Sequence, residues 1–275
     1  MVFLGTGGGR FVITKQLRAT GGIILELDGQ VIHIDPGPGA LVRAVERGVD
    51  LSRVTAVAVS HCHPDHYADA ELVIEAMTAG ATKRRGALIG SIHSIRGGDD
   101  YRAAVSPYHL RALAEHHEMA PGETARIGRV RVTATPTVHG DPGGIGFVFR
   151  GSETIGYASD GSYYDGQEKL FAGCDYLVMN VLRPRGNTWP KHMNTDQAAR
   201  LAALAKPKTA IITHFGILML KAGPEREAAY MTEKSGVRTI AAVDGMVITA
   251  GVAEGSGGSI GSIIRPQSKA LLPNP

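Results

Sequence analysis

Cysteine is nearly absent from this 275-residue chain: Cys62 and Cys174 are the only two. That excludes the disulfide framework of a small secreted domain, and both thiols read as unpaired and buried. Missing too is any apolar run long enough to span a bilayer. The opening residues Met1, Val2, Phe3, Leu4 and Gly5 have neither the basic region nor the apolar core of a signal peptide, so a cytoplasmic protein without a membrane partner is expected. Strong charge is also lacking, since the formal net charge is +3. Such a balance permits an anionic substrate without demanding nucleic acid. No composition break marks a linker within 1–250, and one domain is expected there. Residues 251–275 turn rich in Gly and Ser and read as a flexible tail.

What is present is glycine, 36 residues of it, which favours tight turns and layered sheets over a helical bundle. The stretch Gly5-Thr6-Gly7-Gly8-Gly9-Arg10 invites a phosphate-loop reading and fails it. Arg10 stands where the last glycine of G-x-G-x-x-G belongs, and no Gly-Lys-Ser/Thr follows. It reads as a tight turn where backbones approach closely. Asp28-Gly29 between two apolar runs signals a hairpin, with His33 a half-buried residue of its second strand and Asp35 at that strand's end. Helical spacing marks 40–47, 70–77 and 225–234, and apolar runs mark strands at 54–59 and 87–90. Further strands are expected at 130–135, 146–149, 154–158, 176–180, 210–213, 237–242 and 246–249. A helix should begin after Asn194, an N-cap with Gln197 three residues on, and turn Leu201 and Leu204 inward. The stretch 91–118 gives no clear pattern; its His93, His109, His116 and His117 have no ligand-like neighbours.

Residues 60–66 read Ser-His-Cys-His-Pro-Asp-His, three imidazoles and one carboxylate directly after an apolar strand. Imidazole and carboxylate together suit Zn, Mn or Fe, and this density is hard to explain by packing. Cys62 alternates with His61 and His63, would point away from them in an extended segment, and is not counted as a ligand. His61, His63, Asp65, His66, His139, Asp160 and His214 all lie just past the ends of predicted strands. In layered α/β structures such ends form one rim, where sites assemble. Seven donors are enough for two ions: His61, His63 and His139 on one, Asp65, His66 and His214 on the other, and Asp160 bridging them.

On these residues the chain resembles the metallo-β-lactamase fold superfamily. The H-x-H-x-D-H signature from His61 to His66, then His139, Asp160 and His214, occur in that superfamily's order. The resemblance covers 2–249 and implies an α/β fold of the αββα type, two facing mixed β-sheets with helices on the outer faces. It implies further that Asp35 supports the metal shell from behind. Phe3-Leu4-Gly5-Thr6-Gly7-Gly8, His192-Met193-Asn194 before a helix, and Thr213-His214-Phe215 are most similar to the tRNase Z and phosphodiesterase branch. Exported β-lactamases are less similar, and the flavodiiron branch alters the ligand set and adds a flavin domain. Two features depart from tRNase Z. Only a short hairpin separates His139 from Asp160, where that family inserts a tRNA-gripping arm, and Tyr67-Ala68-Asp69-Ala70 replaces its usual glycines. RNA is therefore compatible with the chain but not indicated by it.

The implied function is a metal-dependent hydrolase that uses a hydroxide activated by two divalent ions, zinc first and Mn or Fe as alternatives. The substrate expected is a small or nucleotide-like phosphodiester. Asp65 and Asp160 would orient the hydroxide, and His192, on a loop beside a helix N-terminus, would act as general acid. Arg183, Arg185 and Lys191 share that loop and could clamp a phosphate, though isolated charges commonly just face solvent. The same hydroxide could instead attack a carboxylic ester, thioester or lactone. A metal-binding protein without turnover is the reading from a different class, and a homo-oligomer stays open.

Overall fold

The computed structural model describes residues 1–249, so the tail expected at 251–275 lies outside the described residues. The first half runs β1 (Val2–Phe3), α1 (Arg10–Lys15), β2 (Ile23–Leu27), β3 (Gln30–Ile34), α2 (Ala40–Glu46), β4 (Ala56–Val59), α3 (Pro64–Tyr67), α4 (Ala70–Met77), β5 (Ala87–Ser91), α5 (Ile92–Arg96), α6 (Pro107–Ala112) and β6 (Glu115–Met119). Its strands form a six-stranded sheet in sequence order, antiparallel up to β3 and parallel beyond.

The second half runs β7 (Thr124–Ile127), β8 (Val130–Pro136), β9 (Ile145–Arg150), β10 (Thr154–Tyr157), α7 (Gln167–Leu170), β11 (Tyr176–Arg183), β12 (Met193–Asn194), α8 (Thr195–Ala205), β13 (Thr209–Thr213), α9 (Ile217–Ala222), α10 (Pro224–Ser235) and β14 (Thr239–Ala241). Its sheet has the order β14-β13-β11-β10-β9-β8-β7, with β12 beside β11. Pairing is antiparallel from β7 to β10 and parallel from β10 to β14.

The two sheets face each other with helices behind them because their central strands are apolar on both sides. In β4, Ala56 and Ala58 point to the interior between the sheets, while Val57 and Val59 point to the helix side. Phe147, Phe149, Val132 and Ile155 of the second sheet meet Phe3, Ile32, Ile34 and Ile89 of the first in one core. Outside the first sheet, Ala44 of α2 and Val73, Ile74 and Met77 of α4 cover Val57, Val59 and Leu88. Outside the second, Ala198, Leu201 and Ala202 of α8 and Ala228 and Met231 of α10 cover Leu177, Met179 and Ile212. Helices on both outer faces and two mixed sheets within make the αββα sandwich that the resemblance implied.

Local differences from the sequence reading have physical causes. His33 is fully buried instead of half-buried, because helices cover its face of the sheet; its Nε2 meets the Gly21 carbonyl at 2.8 Å. Leu204 is 49% exposed, since α8 fills its inner face with alanines. Residues 246–249 make a single bridge, Val247 to Val2, in place of a strand. The stretch 91–118 folds as α5, α6 and β6, elements too short to show a period.

The cap of α8 forms as expected. Asn194 Oδ1 accepts the Gln197 amide at 3.0 Å, and Gln197 Oε1 accepts the Asn194 amide at 3.2 Å. Asn194→Ala is expected to lower the unfolding free energy by about 1 kcal/mol, read from urea denaturation.

Candidate metal centre

The chain leaves β4 extended and then turns into α3. His61 and His63, two residues apart, fall on one side of the extended segment, and Cys62 falls on the other with its Sγ 3.6 Å from the Arg102 carbonyl. Pro64 sits at the first helical position, where its missing N–H costs nothing, and α3 carries Asp65 and His66 back toward the histidines. Asp141, which the sequence reading did not single out, braces this turn: its Oδ2 accepts the Cys62 amide at 2.8 Å, and its Oδ1 meets His93 Nδ1 at 2.5 Å.

Hydrogen bonds behind the imidazoles fix which nitrogen faces inward. Asp35 Oδ2 accepts from the Ser60 hydroxyl at 2.6 Å and from His66 Nδ1 at 2.8 Å. Because the Ser60 proton is directed to Asp35, its oxygen accepts from His61 Nδ1 at 2.9 Å. His139 Nδ1 donates to the Lys191 carbonyl at 3.0 Å. His61 and His139 therefore each present a bare Nε2 to the common space, and His66, anchored through its Nδ1, turns its Nε2 edge to the same space.

The second sheet delivers the remaining donors from the ends of its strands. Asp160 follows β10 and His214 follows β13, each at a turn held by a left-handed residue: φ is 58° at Ser159 and 61° at His214 itself. A methyl group on Gly8 would overlap the His214 ring, so the glycine turn at the N-terminus is where backbone packs on an imidazole. Asp160 is held from behind by Asn180, whose Nδ2 donates to its Oδ1 at 2.6 Å and also to the Tyr157 hydroxyl at 3.1 Å. Tyr157 in turn donates to Asp35 Oδ2 at 2.7 Å.

The donors converge in two overlapping groups. His63 Nδ1 lies 3.1 Å from His61 Nε2 and 2.9 Å from His139 Nε2. His214 Nε2 lies 3.2 Å from His66 Nε2 and 3.3 Å from Asp65 Oδ2. Asp160 Oδ2 reaches both groups, 3.9 Å from His139 Nε2 and 3.5 Å from His214 Nε2. His192 also sits inside the cluster, its Nδ1 3.5 Å from Asp160 Oδ2. The structure thus brings all seven sequence-predicted donors and His192 together, with Asp35 behind them.

The electrostatics fit a cation. Burial opposes charge on His66, yet Asp65, Asp160 and Asp35 outweigh it and push its pKa up to about 10. Asp160 stays ionised although burial resists, because His214 and His66 hold its carboxyl well below the usual range. In the other group burial and crowding by like imidazoles keep His61 neutral and ready as a lone-pair donor. A space where carboxylates draw in a proton and at least two bare nitrogens face each other suits divalent metal, whose binding releases that proton.

A cavity of about 690 Å³ opens over these donors, lined among others by Arg10, Phe11, Leu182, Arg183, Trp189 and Ile217. Of the three loop cations, Arg183 faces this cavity and stacks on Trp189 at 4.5 Å. Arg185 instead pairs with Glu227 and covers Tyr230. Lys191 contributes its carbonyl, not its ammonium, to the cluster. Sequence reasoning passed over Ser60, Tyr157, Asn180 and Phe11. For Asn180 a signal existed, a lone amide ending an otherwise apolar strand.

Fold and donor set together define a metallo-hydrolase sandwich. The chain belongs to the beta-lactamase superfamily, in its metallo-β-lactamase fold: the superfamily's domain profile matches residues 30–215. It is 37% identical over 253 residues to the protein named Uncharacterized protein MJ1374 of Methanocaldococcus jannaschii, covering 90% of this chain and 94% of that one. It is 32% identical over 145 residues to Ribonuclease Z of Methanopyrus kandleri, covering 52% and 47% of the two chains. In structure it is similar to the metallo-beta-lactamase fold protein YhfI of Bacillus subtilis, with a TM-score of 0.74, 20% identity, and 89% and 96% of the chains covered. Among the described residues no helix is long and apolar enough to cross a membrane.

Replacing Asp35 by Ala strands four donors: the Ser60 amide and hydroxyl, His66 Nδ1 and the Tyr157 hydroxyl. Asp35→Ala is expected to cost about 3 kcal/mol or more in urea unfolding, because each buried group left unpaired costs on the order of 1–3 kcal/mol.

Proposed function

We propose that the chain is a metal-dependent phosphodiesterase holding two divalent ions. His61, His63 and His139 would hold one, Asp65, His66 and His214 the other, and Asp160 would lie between them. Imidazole and carboxylate donors favour zinc, with manganese or iron as alternatives. When bound, such ions would supply Lewis acidity, lowering the pKa of a water and offsetting charge on phosphoryl oxygens. Asp65 and Asp160 would orient that water. Asp35, through Ser60 and His66, keeps the inward nitrogens aimed.

The observation that carries this reading is the cationic side of the cavity above the cluster. Arg10 and Arg183 line it, and its two carboxylates, Asp65 and Asp160, are both in the donor set. An anionic substrate is drawn to such a mouth, and a neutral lactone is not. Similarity to a protein named Ribonuclease Z points to the same bond type. His192 is the proton donor for the leaving oxygen. Burial pushes its pKa down to about 4, against the pull of Asp160, so it is neutral in the free site at neutral pH. An anionic phosphate beside it favours the charged form and loads the proton where the leaving group needs it.

Assay of the metal-loaded protein on bis-p-nitrophenyl phosphate, a lactone and a cephalosporin, with and without chelator, tests the bond type. A chelator-sensitive preference for the diester is expected; preference for the lactone, or no turnover with a full metal complement, counts against it. His192→Ala is expected to lower diester turnover by roughly 100-fold or more with metal content intact. Asp160→Ala is expected to lose at least one ion per chain, read by elemental analysis; a variant that retains both contradicts the bridging role.

A further inference from the structure

Phe11 is 69% exposed, while the other five phenylalanines, Phe3, Phe147, Phe149, Phe171 and Phe215, are all at 0%. Trp189, the single tryptophan of the chain, is 51% exposed. Among the described residues only Tyr108 joins them as an exposed large aromatic side chain. An isolated exposed apolar residue is ordinary, but two aromatic rings on the wall of one cavity above a donor cluster are not. The Arg183 guanidinium lies over the Trp189 ring at 4.5 Å, which holds the indole in place and sets a cation beside it. Ile13, Leu182 and Ile217 complete the apolar part of the wall.

Flat rings, a neighbouring cation and a phosphate-attracting floor match a nucleobase joined to a phosphate. We infer that Phe11 and Trp189 form a stacking platform for the base of a mononucleotide-sized ligand, with Arg183 and the donor cluster engaging its phosphate. The inference rests on the phosphodiesterase reading for the bond cleaved, and it adds the group that selects the substrate. The cavity volume, about 690 Å³, is of the size that encloses a small ligand and not a folded nucleic acid.

Because Trp189 is the only tryptophan, its emission reports the site directly. Titration of the metal-loaded protein with AMP is expected to quench that emission saturably. Ribose 5-phosphate, with the same phosphate and no base, is expected to bind about 10-fold more weakly and to quench the emission less than AMP does. Phe11→Ala is expected to weaken AMP about 10-fold and leave ribose 5-phosphate binding as it was. Trp189→Leu, followed by calorimetry, is expected to weaken AMP by at least as much. Equal binding of the two phosphates, or wild-type AMP affinity in both variants, overturns the platform even if a diester is cleaved. A protein that binds AMP as described yet cleaves no diester leaves the platform standing and removes the hydrolase reading. A short oligoribonucleotide held orders of magnitude more tightly than AMP also overturns the inference, by giving the surface to RNA.

Discussion

The carboxylate of Asp35 is the constraint on which the centre depends. It is buried, and an isolated charge there would be prohibitively costly. Four short hydrogen bonds offset that cost, two from Ser60, one from His66 and one from Tyr157. Ser60 and His66 belong to the first sheet's rim and Tyr157 to the second sheet. One side chain therefore pins the sandwich at its site end. It also sets the imidazole tautomers, since His66 is bonded to it directly and His61 through Ser60. Through Tyr157 and Asn180 the same network reaches the back of Asp160. Donors from both sheets are thus aimed by one connected set of hydrogen bonds.

Part of the backbone's left-handed strain lies in the same place. Asp35, Ser159 and His214 leave their strands in the left-handed region, with φ of 49°, 58° and 61°. Each such residue costs about 1 kcal/mol, and together they turn the chain sharply enough to project side chains into the gap between the sheets. The cores on either side of the sheets hold these turns, because apolar strands packed on both faces cannot shift register without exposing a row of side chains.

Much of this was legible in the residues alone. Apolar strands and capped helices have local signals, and Ala70–Met77 and the Asn194 cap appear where spacing placed them. The convergence of the seven candidate donors was legible because metal-type side chains at strand ends are chemically conspicuous. What stayed hidden is what depends on contact between distant segments. Ser60, Tyr157 and Asn180 are common residues whose roles come from meeting Asp35 and Asp160, which lie far from them in sequence. The glycine turn at Gly5 was rightly read as a close approach, but nothing local told that the helix after it carries Phe11 to the cavity. Short elements such as α5 and β6 lack the length to show a period at all.

The hydrogen bond from His139 Nδ1 to the Lys191 carbonyl has a wider consequence. Lys191 is itself in the left-handed region, φ 60°, on the segment that also presents Trp189 and His192. The loop that lines the cavity is thereby fastened to an imidazole of the inner cluster. Drift of that loop toward a new ligand cannot leave the centre untouched, because any movement of residue 191 tilts the His139 ring. Within such a scaffold, divergence in substrate choice is expected to proceed by exchange of side chains on a fixed loop backbone, with insertions that lengthen the loop selected against.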